Sequence, residues 1–123
     1  MTALLYAGGV FHLAFAAFHL GFWTLFDWRE QLPRLSFINR NVLQILNLCM
    51  TFVFLVVAWL SIVHTDALLQ PGIGYTLLAA IALFWLLRAI EQAVFFGLRN
   101  AASVAFSLVF LAGSALYAVP LFA

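Results

Sequence analysis

Ile73-Gly-Tyr-Thr-Leu-Leu-Ala-Ala-Ile-Ala-Leu-Phe-Trp-Leu-Leu-Arg-Ala-Ile-Glu-Gln-Ala-Val-Phe-Phe96 is an apolar run whose only ionisable acid and base are Arg88 and Glu91. At about 1.5 Å per helical residue it reaches across a hydrocarbon core, which takes about 20 residues. An ion in that core is costly, so Arg88 and Glu91 are functional candidates and each needs a partner. Three residues apart on one helix, they partly neutralise one another.

Working outward, three further apolar stretches are long enough to span: Ala3–Phe26, Val42–Val63 and Ala101–Phe122. None shows the alternation of a transmembrane barrel strand, so all four read as helices. The expected fold is an all-α membrane protein: one integral membrane domain over residues 1–123, an antiparallel bundle of four transmembrane helices. Composition agrees. The chain is 67% hydrophobic and 7% charged, against about 25% charged in a soluble domain, so its solvent is lipid. A net charge of +1 and the absence of lysine leave no basic stripe to track phosphates, which excludes nucleic acid as a partner. The single cysteine, Cys49, excludes an intramolecular disulfide and a cysteine-based zinc cage, and it reads as a small buried apolar residue. The first stretch lacks a basic leader and exceeds the roughly 7–15 apolar residues of a signal peptide, so it is expected to stay as a span.

Arg29, Arg34 and Arg40 lie in the first loop and Arg99 in the third, whereas residues 64–72 carry neither Lys nor Arg. The positive-inside rule then puts loops 27–41 and 97–100 in the cytoplasm and both termini outside, in an inner (plasma) membrane. A faint repeat runs through the chain: Phe22-Trp23, Glu30-Gln31 and Arg40-Asn41 recur as Phe84-Trp85, Glu91-Gln92 and Arg99-Asn100. It suggests two tandem helical hairpins.

Counted from the cytoplasmic ends of the spans, the polar residues fall at similar depths. His19, Gln44, Asn47, Arg88 and Glu91 all come roughly 5–12 Å inside, with His12 one step deeper. Asn41, Gln44, Asn47 and Thr51 make one stripe, Gly9, His12, Ala16, His19 and Trp23 another, and Arg88, Glu91 and Gln92 a third. The expected site is therefore His12, His19, Gln44, Asn47, Arg88, Glu91 and Gln92. On the last helix, Ser103, Ser107, Ser114 and Ala118 form a small-residue stripe that admits a close neighbour. The histidines, seven residues apart, are roughly 10.5 Å apart along the axis. That is too far to share one metal, so each is a separate candidate ligand for metal or haem.

No assembled triad, Walker loop, CxxC motif or histidine cluster is present, so an enzyme is not expected. With 14 Phe and 4 Trp as walls, the favoured function is binding of an apolar ligand or cofactor with a polar head, a quinone, lipid or haem. The alternatives are an accessory or assembly subunit of a membrane complex with a structural polar cluster, and an oligomeric proton-coupled transporter or channel using Glu91 and His19. A homo-oligomer is expected from the small-residue stripe.

Overall fold

The computed structural model describes Met1–Ala123, and it contains helices and no strand. Four helices dominate: α1 (Thr2–Leu20), α2 (Phe37–Val63), α3 (Ile73–Glu91) and α4 (Ala101–Phe122). A π-helical turn, Gln92–Phe96, extends α3. All four are long and apolar enough to cross a membrane. Their outward faces carry Val10, Leu13, Phe52, Val53, Leu83, Leu86, Leu108 and Leu111, all exposed, as lipid-facing helices should. The chain is an all-α, four-helix membrane protein.

The third and fourth spans have the limits expected from the sequence, Ile73–Phe96 and Ala101–Phe122. The first two do not. Expected over Ala3–Phe26, the first helix breaks after Leu20, and a short helix, Phe22–Leu25, follows. At the break the Gly21 N–H is shared between the carbonyls of Ala17 (3.1 Å) and Phe18 (3.0 Å), the three-centre pattern common at helix ends. The apolar run stops where Asp27 turns left-handed (φ 56°, ψ 41°), a conformation Asp tolerates better than most residues. Expected from Val42, the second helix starts at Phe37 instead. Ser36 caps it, its Oγ accepting from the Asn39 N–H at 3.2 Å. Hydropathy marks the apolar core, whereas backbone hydrogen bonds carry a helix past it through Asn39, Arg40 and Asn41.

The chain forms two compact units, Gly9–Trp59 and Met1–Gly8 with Leu60–Ala123. Each contains one helical hairpin. In the first unit α2 buries Asn47, Thr51, Phe54 and Ala58, steps of four, three and four that trace a coiled-coil-like seam. On α1 it buries His12, Phe15 and Ala16. Between the helices, Trp28–Gln31 and a 3-10 turn over Leu32–Arg34 form a strap held by buried Trp28 and Leu32.

In the second unit the short turn at Gly97 (φ 75°) makes α3 and α4 antiparallel neighbours. Asn100 caps α4, its Oδ1 accepting from the N–H groups of Ala102 (2.7 Å) and Ser103 (3.3 Å). The small-residue stripe of α4 is used inside the chain, where Ser114 Oγ donates to the Ala82 carbonyl of α3 at 2.7 Å. At the other end Tyr117 and Ser61, both fully buried, share a hydroxyl hydrogen bond of 2.7 Å. Gly8 leaves room for that phenol: a methyl group there would lie 2.5 Å from the Tyr117 oxygen.

Candidate functional site

The Gly9–Trp59 unit holds a histidine gripped at two points. Asn47 Nδ2 donates to the main-chain carbonyl of His19 at 3.0 Å, and Asn47 Oδ1 lies 2.7 Å from His19 Nδ1. The grip follows from the helix break. The last four carbonyls of α1, His19 among them, have no partner further along that helix, and in lipid each needs a donor. A carbonyl only accepts, so the amide nitrogen must face it and the amide oxygen must face the ring. Nδ1 therefore carries a proton and donates to Asn47.

Aromatic rings hold the imidazole in plane. His19 stacks on Phe22 (centroids 4.4 Å, 30°) and meets Phe54 edge-on (5.1 Å, 70°). Phe54 also contacts His12 (5.8 Å), and Phe22 meets Trp28 of the strap (5.4 Å). The rings of Trp28, Phe22, His19, Phe54 and His12 thus form one continuous series. His12 is buried, 1% exposed. Beside the series, Trp23 Nε1 donates to Gln44 Oε1 at 3.3 Å, while Gln44 Nε2 donates to the Arg40 carbonyl at 3.2 Å. Of the seven residues expected at the site, His12, His19, Gln44 and Asn47 belong to this unit.

Arg88, Glu91 and Gln92 belong to the other unit and point to different surroundings. Arg88 places its guanidinium carbon 4.5 Å from the centroid of the Phe110 ring, a cation–π contact. It forms no ion pair with Glu91, which is exposed. Gln92 is buried, and its Nε2 donates to Ser103 Oγ at 3.0 Å; Ser103 Oγ in turn donates to the Gly97 carbonyl at 2.5 Å. Gln92 continues the buried stripe of Leu78, Ala82, Trp85 and Ala89 at steps of three and four, whereas Glu91 lies a helical step off it, so the three side chains do not act as one face. Gln92 and Ser103 tie the α3–α4 turn. Ser103→Ala strands both groups in a buried site and should destabilise the protein by ~1–2 kcal/mol, read as a lower unfolding midpoint in detergent. A midpoint equal to wild type would show that the knot is dispensable.

No three His, Cys, Asp or Glu side chains gather in a group that could hold a metal. Cys49 is exposed on α2, not buried as its composition suggested. Sequence reasoning missed Phe54 and Phe22 as the rings that orient His19, and it missed the Ser61–Tyr117 pair. Phe54 carried one signal, a seven-residue step from Asn47 along the buried seam.

Compared with protein-family models, curated proteins and solved structures, the chain matches none.

Proposed function

We propose that this protein binds a small apolar molecule with a polar head, of the quinone, lipid or haem class, and that His19 meets the head. The observation carrying this reading is the two-point hold of Asn47 on His19. A histidine whose Nδ1–H is fixed by a carbonyl oxygen is prepared to use Nε2 towards a hydroxyl or a metal, the arrangement that ligating histidines adopt. Phe22 and Phe54 supply the apolar walls that such sites combine with a few polar groups. His12 and Gln44 would extend the polar lining. The arginines of loops 27–41 and 97–100 support a cytoplasmic location for both loops.

A second reading has its own support. Every buried side-chain nitrogen and oxygen has a hydrogen-bond partner, which suits an accessory or assembly subunit whose polar residues only keep helices in register.

The two readings separate on purification in mild detergent. The absorption spectrum and mass spectrometry of an organic extract would be compared between wild type and the His19→Leu/Asn47→Leu double variant. Ligand binding predicts a Soret band or an extractable quinone or lipid, depleted at least about tenfold in the variant, the equivalent of one good hydrogen bond. A wild-type protein that carries nothing and takes up neither added haem nor added quinone would reject ligand binding in favour of the structural role.

A further inference from the structure

Within the α3 span Arg88 and Glu91 are the only charged residue types, and the attraction between them stops short of a salt bridge. No ion pair joins them; Arg88 rests on Phe110, and Glu91 makes no hydrogen bond. Glu91 lies five residues short of the end of the span at Phe96, roughly 8 Å inside it. A carboxylate at that depth with no hydrogen bond and no cation within ion-pair distance is unfavourable. Around it the helix presents Leu87, Val94 and Phe95, which are 49%, 71% and 81% exposed.

We propose that this face of α3 is a homodimer interface, and that a second copy of the chain brings a counter-charge into ion-pair contact with each. Opposite charges one helical turn apart are self-complementary across a two-fold axis. Arg88 of each copy meets Glu91 of the other, so one symmetry operation pairs four ions. A lipid phosphate would satisfy Arg88 and repel Glu91, whereas a second copy satisfies both signs. The α4 stripe is the less suitable face, because Ser103 and Ser114 already bond within the chain. Leu87, Val94 and Phe95 would be covered by the same contact, adding the packing that drives helix association in lipid.

Charge-exchange complementation tests this. Val94→Cys is introduced into a Cys49→Ser background, and cross-linking is measured in membranes carrying two differently tagged copies. The parent should cross-link. Arg88→Glu alone or Glu91→Arg alone should cut the yield at least about tenfold, since both reversals set like charges face to face. Co-expressing the Arg88→Glu chain with the Glu91→Arg chain should restore a cross-link between the two tags, because each reversed charge then meets its opposite. Where a reversal fails to insert, Arg88→Gln and Glu91→Gln replace it, each expected to lower the yield by about threefold or more. No parental cross-link, single variants that cross-link as well as the parent, or a mixture that does not recover would each overturn the proposal.

Discussion

Replacing Asn47 with leucine is expected to destabilise the Gly9–Trp59 unit more than any other conservative-volume change on its polar seam. Two bonds vanish at once, leaving the Nδ1–H of His19 and its main-chain carbonyl without their donor–acceptor partner. In a soluble core each stranded group costs roughly 1–3 kcal/mol. Interhelical hydrogen bonds in membranes average about 0.6 kcal/mol, because the unfolded chain in lipid also finds partners. The membrane value governs here, so the expected loss is about 1–2 kcal/mol in total. The double variant His19→Leu/Asn47→Leu should lose less than the sum of the two single variants, because it removes the ring N–H along with its acceptor. Reversible unfolding in detergent–lipid micelles, run as a double-mutant cycle, measures that coupling. Strict additivity would mean that the two side chains do not depend on one another.

Gly74→Ala is expected to have the largest effect in the other unit, and for a steric reason. A methyl group at Gly74 would lie 2.7 Å from the Leu68 carbonyl oxygen and 3.0 Å from its carbon, and closer still to the Ala67 oxygen. These are backbone atoms of the short Thr65–Leu68 helix, so no rotamer change relieves the clash. The turn would have to move away from α3, uncovering buried Thr65 and Leu68. Overpacking that side chains can absorb costs about 1–3 kcal/mol, so a clash with backbone should reach the upper end, about 3 kcal/mol. Folded yield after detergent extraction should fall sharply. Gly21→Ala makes the comparison, since its nearest contact is the flexible end of Leu25 at 3.2 Å; that variant should lose under about 1 kcal/mol. Equal stability of Gly74→Ala and wild type would mean that the 65–68 turn is not packed on α3 as described.

Much of this molecule is legible from its residues. The apolar runs locate all four spans, and the limits of α3 and α4 follow directly because Gly72 and Gly97 bound one and Asn100 opens the other. His19 and Asn47 stand out as polar residues in apolar helices at similar depth. Their pairing does not follow from depth, and it came about because Gly21 ends α1 two residues after His19 and frees a carbonyl. The grouping of Arg88, Glu91 and Gln92 on one face rested on their spacing alone, and that face straddles the boundary between buried and exposed positions. Which side of that face turns inward was not legible: Gln92 falls on the buried stripe of Trp85 and Ala89 and meets Ser103, while Glu91 stays out.

Sequence by itself determined the class, the number of spans and the rarity of the polar groups, since the free energy of placing a side chain in lipid is largely a property of that residue. Tertiary structure alone decided which partner each polar group took: Asn47 for His19, Phe110 for Arg88, Ser103 for Gln92. Helices that are apolar nearly all round carry little information about which face turns inward. That choice rests on close packing and on hydrogen bonds whose partners lie 11 to 56 residues away in the chain.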